Sequence, residues 1–313
     1  MISEAASKLK LGNLVAFPTE TVYGLGADAV NKKAVARIYE VKGRPIKHPL
    51  IVHISSIKHL HKWAKEIPEY GLTLASTFWP GPMTLVLPRT TLAKNFITGG
   101  QDNVGIRIPA HTLALKLLGE FEDKGGLGVV APSANRFGAV SPTTAGAVEI
   151  ELGNYLDDTD LILDGGPSLV GVESTIIDCT KSLPTVLRPG AITDEMITEI
   201  LGITVDIKRF NPESVQVKVP GMLESHYSPK AKVLLSGVLL PGDGLIALES
   251  FKTPKGVIRL ASPENNEDYA RLLYEALRLA DSKQLKRVHT IPPIGGGIAV
   301  AINDRLAKSA FEK

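Results

Sequence analysis

Along the N-terminal two thirds of the chain, short apolar runs alternate with segments in which apolar residues recur every third or fourth position. That is the pattern of strands interleaved with amphipathic helices, and it predicts an α/β architecture. Ile2 to Leu11 reads as a helix closed by Gly12, and Leu14-Val15-Ala16-Phe17 as a short buried strand. A helix is expected over Lys33 to Val41, a strand over Leu50 to Ile54, and helices over Ser56 to Ala64 and Pro68 to Phe78. The sharp turn Trp79-Pro80-Gly81-Pro82 then leads into a strand from Met83 to Leu87.

Several of the remaining strands carry a polar residue at one end. Val104 to Pro109 sets Arg107 between residues that point the other way, which makes it either a rim residue or a carboxylate clamp. Gly128 to Ala131 breaks at Pro132 into Ser133-Ala134-Asn135-Arg136, a strand end of the kind at which an open α/β sheet offers hydroxyls and free N–H groups. Ser141-Pro142-Thr143-Thr144 caps a helix reaching Leu152. Strands follow at Leu161 to Leu163, Glu173 to Asp178 and Val186 to Arg188, then a helix from Thr193 to Leu201.

Pro212, Pro220, Gly221 and Pro229 interrupt any continuous element between Phe210 and Ala231, so residues 210–231 are read as a linker between a domain of residues 1–209 and one of 232–313. The second domain shows strands at Val233 to Leu235, Gly244 to Leu248, Gly256 to Leu260 and Arg287 to Ile291. A helix spans Asn266 to Leu279 and another follows Gly295-Gly296-Gly297, the mark of a small α/β unit. No amphipathic helix separates its first two strands, where a crossover is expected.

Composition changes this picture little. The 313 residues are 44% hydrophobic and 22% charged with a net charge of +2, which suits a globular protein and is too mild to demand nucleic acid. One cysteine, Cys179, rules out an intramolecular disulfide and CxxC sites. No signal peptide is read at the N-terminus and no apolar run nears membrane-spanning length, so a cytoplasmic protein without a membrane partner is expected.

Charge is informative locally. From Lys32 to Lys47 stand six basic residues against one acid, Glu40, and Lys42-Gly43-Arg44-Pro45 puts two of the cations at a helix-to-strand corner. Lys as a point charge beside Arg as a planar fork suits a polyphosphate, or a phosphate with a carboxylate. A solvated basic turn has the same composition. The loop Pro18-Thr19-Glu20-Thr21-Val22-Tyr23-Gly24-Leu25-Gly26-Ala27-Asp28 surrounds two threonines with punctuating residues, either facing a ligand or simply joining a strand to a helix. There is no Walker loop, no G-x-S-x-G and no H-E-x-x-H. What remains are strand-end Thr, Ser, Asn, Arg and Lys residues that orient anionic reactants without a protein nucleophile.

Phe17 to Leu25, Lys42-Gly43-Arg44-Pro45 with Pro49-Leu50, Ser133-Ala134-Asn135, Ser174-Thr175-Ile176 and Leu187-Arg188-Pro189-Gly190 resemble the successive motifs of the YrdC-domain threonylcarbamoyl-AMP synthase family. Pro220-Gly221-Met222, His226-Tyr227-Ser228-Pro229 and Asn303-Asp304-Arg305-Leu306 resemble its long, two-domain form. The resemblance implies a twisted mixed sheet around a concave, positively lined cavity, with a smaller Rossmann-like α/β domain behind it. It implies condensation of L-threonine, bicarbonate and ATP to threonylcarbamoyl-adenylate with release of pyrophosphate. A downstream threonylcarbamoyl-transferase complex then carries the group to tRNA. It implies Lys42 and Arg44 as catalytic cations, and Thr21, His53, Arg107, Ala131 and Ser174 around threonine. Arg44, His48, Asn103, Ser133, Ser141, Arg188 and Tyr227 would hold ATP, with Mg²⁺ carried by its phosphates and no protein metal cage. His48 and Asn103 stand where the family more often has Asn and Thr. The linker reads as a lid, with Tyr227 over bound ATP. A competing reading is a double-stranded RNA or tRNA binding module built on the Lys32 to Lys47 stretch, against which stands the lack of aromatic residues among those cations. A carbamoyl-transfer component of the hydrogenase-maturation kind would carry further modules that the sequence lacks.

Overall fold

The computed structural model describes residues 1–203, 205–207, 217–221 and 227–311. Among them the strands of the first domain are β1 (Val15–Phe17), β2 (Gly24–Asp28), β3 (Ile51–His53), β4 (Met83–Pro88), β5 (Asn103–Arg107), β6 (Val129–Val130), β7 (Leu161–Ile162), β8 (Thr175–Asp178), β9 (Thr185–Arg188) and β10 (Asp206–Ile207). They form one sheet in the order β10-β9-β8-β4-β5-β3-β6-β2-β1-β7. Parallel pairs (β3 with β5, β4 with β8) alternate with antiparallel ones (β4 with β5, β3 with β6), so the sheet is mixed.

Strand alternation decides which face each residue serves. Val52, Leu85, Leu87, Val104, Ile106 and Val130 point into the main core. Over them pack α2 (Lys32–Lys42), α3 (Leu60–Trp63), α4 (Glu69–Phe78), α5 (Asn95–Thr98) and further elements that place Ile38, Trp63, Leu74 and Ile97 in the same cluster. On the opposite face, one end is covered by α1 (Ile2–Leu11) and α6 (Thr112–Asp123), whose Leu9, Leu117 and Phe121 pack on Phe17 and Val129. At the other end Ile51, Val86, Ile176 and Leu187 are covered by Val217 and Val219 of the linker. Between these two covers the face is left open, and there the polar strand residues collect.

Local chemistry sets the element ends. Asn31 accepts from Lys33 N and Ala34 N to start α2, and Gly43 at φ 60° ends it. Thr144 caps α7 (Ala145–Leu152) and Thr193 caps α8 (Asp194–Leu201). Among the elements outside those expected are the short α5 and β10, and two larger ones. β2 is a strand where a loop was anticipated, because Gly24 and Gly26 sit where a Cβ would press on Ala131, Phe17 and Val129. α6 was not anticipated either, although Ala114, Leu117, Leu118 and Phe121 have helical spacing.

The second domain has β11 (Lys232–Leu234), β12 (Gly244–Ile246), β13 (Ile258–Ala261) and β14 (Arg287–Thr290), all parallel in the order β11-β14-β12-β13. β11 therefore lies next to β14, not β12, and the crossover between the parallel strands β11 and β12 is made by residues 235–243 without a helix. The helices α9 (Asn266–Ser282) and α10 (Ile298–Ser309) pack on this sheet. Their cluster also takes in Val22, Val140 and Val172 of the first domain. No helix among the described residues is long and apolar enough to cross a membrane.

Candidate functional site

The open part of the sheet face is a cavity lined by Thr19, Thr21, Val22, Gly24, Arg44, Ile51, His53, Arg107, Ala131, Pro132, Ser133, Glu173, Ser174, Arg188, Pro220, Gly221 and Tyr227. His53 and Arg107 are register partners on the parallel strands β3 and β5, which puts an imidazole and a guanidinium side by side on the same face. Burial, and then the Arg107 charge, push the His53 imidazole down to about 3, so at neutral pH it is an uncharged donor and acceptor. Arg107 is braced from behind: its Nη2 donates to Glu20 Oε1 at 2.7 Å, and its Nε to Gly81 O at 3.4 Å. Ala110 N donates to the other Glu20 oxygen at 3.0 Å. Glu20 thus aims the guanidinium. The Thr19 and Thr21 hydroxyls are 2.8 Å apart, and Ser168 Oγ donates to Thr19 O at 3.0 Å, fixing the loop between β1 and β2.

A second group of cations faces the same space. Arg44 Nη2 donates to Pro49 O at 3.0 Å while its Nε, also buried, has no partner among the described residues. Burial holds its guanidinium down to about 10, still a full cation at neutral pH. Arg188 Nε and Nη2 donate to Ser174 O at 3.1 and 2.8 Å, Nη2 reaches Ser174 Oγ at 3.1 Å, and Nη1 donates to the linker carbonyl of Pro220 at 3.1 Å. The Ser174 hydroxyl also meets Thr84 Oγ1 at 2.8 Å. Glu173 is the carboxylate among the lining residues. Burial alone would raise it, but Arg305, then Arg188, hold it down to about 2.

Of the residues expected around threonine, Thr21, His53, Arg107, Ala131 and Ser174 all line this cavity. Of those expected around ATP, Arg44, Ser133, Arg188 and Tyr227 line it. The other three, and Lys42 of the catalytic pair, stand elsewhere. Lys42, expected at the cavity surface, is 2% exposed, and its Nζ donates to Ser133 O at 2.5 Å and to Asn135 O. Burial, then Arg44, lower its ammonium well below the usual lysine range. The physical reason is that α2 carries Lys42 under the 131–136 strand end, so it shapes that end where Arg44, beyond the Gly43 turn, faces the cavity. Ser141 is fully buried and gives its hydroxyl to Glu173 Oε1 at 2.7 Å. His48 is half-buried edge-on against Phe137 at 5.3 Å, and that ring also meets the Arg44 guanidinium at 5.8 Å. Asn103 lies in an adjoining cleft with Gln101, Val217 and Lys218, under the linker. Met222 and His226 of the linker motif lie outside the described residues.

The expected basic patch is dispersed by folding. Arg37 pairs with Asp160 at 2.7 Å and is near Asp157, Lys42 and Arg44 are buried, and Lys32, Lys33 and Lys47 remain exposed. Glu20 and Glu173 are the site residues to which the sequence reading gave no role. Glu20 sits inside a quoted motif and Glu173 directly before one, but their partners Arg107 and Arg305 lie 87 and 132 positions away.

Two family models match the chain: the Sua5/YciO/YrdC model, described as "Telomere recombination", over residues 7–190, and the threonylcarbamoyl-AMP synthase C-terminal domain over residues 192–311. The chain is 40% identical to the threonylcarbamoyl-AMP synthase of Pyrococcus abyssi, across 98% of this chain and 93% of that one. It is 38% identical to the enzyme of that name from Bacillus subtilis, across 99% and 92%. The crystal structure of P. abyssi Sua5 complexed with L-threonine superimposes with a TM-score of 0.88 at 39% identity, covering 99% of this chain and 94% of that one.

Proposed function

The chain belongs to the Sua5/YciO/YrdC family in its two-domain form, and from that premise we infer that it is an L-threonylcarbamoyladenylate synthase. The reaction joins the amine of L-threonine to the carbon of bicarbonate, breaking one C–O bond so that water leaves and a carbamate remains. It also links an oxygen of that carbon to the α-phosphorus of ATP, displacing pyrophosphate. The observation that carries this reading is the convergence of Arg107, neutral His53, Thr21 and Ser174 with Arg44 and Arg188 on one open stretch of sheet face.

Arg107, aimed by Glu20, is placed to pair with the threonine carboxylate, and neutral His53 offers a hydrogen bond without adding a second positive charge. Arg44, Arg188 and Ser133 are placed for the triphosphate, where charge develops on oxygen as pyrophosphate leaves. Lys42 then acts through the carbonyls of Ser133 and Asn135, which it holds. No side chain is required as a nucleophile, so positioning supplies most of the rate. Glu173, the lining carboxylate, has its oxygens taken by Ser141, Tyr274 and Arg305. Among the described residues no group of three His, Cys, Asp or Glu stands within metal-binding reach. Mg²⁺ would arrive on the phosphates of ATP, beside Arg44 and Arg188, and would neutralise phosphate oxygens there. The adenylate is passed to a threonylcarbamoyl-transferase complex acting on tRNA.

Purified protein given ATP, threonine and labelled bicarbonate is expected to form labelled threonylcarbamoyl-adenylate and equimolar pyrophosphate, and to form neither when threonine or bicarbonate is omitted. Hydrolysis of ATP alone at a comparable rate would overturn the reading.

A further inference from the structure

A buried carboxylate with three side-chain donors stands not on the threonine side of the cavity but at its boundary with the second domain. Glu173 precedes Ser174, lines the cavity, and is 6% exposed. Ser141 Oγ donates to its Oε1 at 2.7 Å. Tyr274 OH of α9 and Arg305 Nε of α10 donate to its Oε2 at 2.8 and 2.9 Å. Arg305 is 1% exposed, and its guanidinium also lies 5.3 Å from the ring centroid of Tyr227, which stacks on Tyr274 at 5.7 Å. Asp304 bridges Arg305 to Lys308. Lys308 Nζ donates to the linker carbonyl of Gly221 at 2.8 Å. One face of α10 thus grips the cavity wall at Glu173 and the linker at Gly221 and Tyr227.

A buried ion pair contributes little net stability compared with apolar residues of equal volume, so this network is an unconvincing device for merely gluing two domains together. What it does supply is a fixed angle. A planar guanidinium touching a carboxylate edge-on and an aromatic ring at its face has few alternative poses. Gly221 allows no slack either, since it sits at φ 84° and a Cβ there would collide with the Tyr227 hydroxyl.

We propose that Arg305, assisted by Lys308, is a positioning residue for adenylate formation, by which the second domain holds the linker and Glu173 in place around the ATP side of the cavity. This rests on the synthase reading above. The C-terminal domain completes the active site without contributing an atom to it.

The test uses full-length protein and the variants Arg305→Lys and Lys308→Met. Arg305→Lys keeps the buried charge beside Glu173 and loses the fork. It is expected to raise the KM for ATP about tenfold while that for threonine stays within about twofold, a split that general loss of folded protein does not produce. Lys308→Met, on a residue that pairs with Asp304 and does not touch Glu173, is expected to act in the same sense at about threefold. Both variants should be cut faster than wild type by a protease acting between Val217 and Tyr227, at a thermal midpoint close to wild type. Unchanged KM for ATP and unchanged cleavage in Lys308→Met, or threonine and ATP constants rising in parallel in both variants, would overturn the proposal. A wild-type protein that makes no adenylate would sink the synthase reading instead, and the cleavage arm would still decide whether α10 holds the linker.

Discussion

Lys42 and Arg44 are two residues apart on one corner and end in different environments. Lys42→Met leaves the buried carbonyls of Ser133 and Asn135 without their donor, a loss of about 1–3 kcal/mol, and lets Ser133 drift. We expect a lower urea midpoint together with a raised KM for ATP. Arg44→Ala should instead lower turnover by roughly a hundredfold or more, since its cation faces the site where charge develops. Equal stability losses in the two variants would contradict this division. Glu173 supplies a pH signature. Its carboxyl sits at about 2 against an ordinary 4.5, so the stability it contributes is complete above about 4.5 and is lost as pH falls towards about 2. Glu173→Gln, which leaves the Arg305 charge buried without its counter-ion, should cost about 3–5 kcal/mol at neutral pH. The gap to wild type, read from urea midpoints, should close between those two pH values, and a gap independent of pH would show that the carboxylate charge is not what matters. The motifs made Arg107 and Ser174 legible. Nothing in a linear sequence tied Glu20 to Arg107 or Glu173 to Arg305, because a lone acid among small polar residues has the composition of any exposed loop.

Period-two alternation explains why so many elements could be read from the sequence. In β5, Val104 and Ile106 enter the core while Asn103, Gly105 and Arg107 take the other face, the arrangement the apolar spacing predicted for Arg107. The same reasoning failed for β2, where glycines that look like loop residues are there because β1 and β6 crowd them. The linker reads as a lid through Tyr227, but the helix–strand pattern gives no hint that its Val217 and Val219 cover the sheet. Val217 and Val219 lie on Ile51, Val86, Ile176 and Leu187, and Lys218 N donates to Gln101 Oε1 at 2.7 Å. Only the folded sheet presents that patch. Val219→Ser removes about 1–2 kcal/mol of apolar burial from this short segment. Exchange of the Lys218 amide should then accelerate roughly tenfold, while amides of β4 and β5 keep their protection. Uniform acceleration across the sheet would mean that the segment is integral to the domain core and not a separately opening cover.

At the scale of the whole molecule, the chain reads as two domains but packs with a shared interior. Val22, Val140 and Val172 of the first domain belong to the cluster built on Leu273, Leu277 and Leu306 of the second. Gly171 approaches α9 so closely that a Cβ there would overlap the Ala270 carbonyl. Polar contacts cross the same boundary: Arg278 meets Glu151 at 3.1 Å and donates to Val140 O, Glu173 meets Arg305, and Gly297 N reaches Glu195 Oε1. Sequence alone places the proline-rich stretch and so suggests independent units, because contact between distant apolar residues leaves no local trace. If the boundary were a loose tether, heating would melt two units separately. Here the loss of the second domain would expose the three valines, strand the Glu173 charge and release Gly221 of the linker from Lys308, so each unit loses stability as the other unfolds. We therefore expect one calorimetric transition with a van't Hoff enthalpy close to the calorimetric one. Val172→Asp, which places an unpaired charge in the shared cluster, should split that transition in two, the second domain melting first. Two resolved transitions in the wild-type protein would show that the interface does not couple the domains, and would leave the active-site cover to the linker alone.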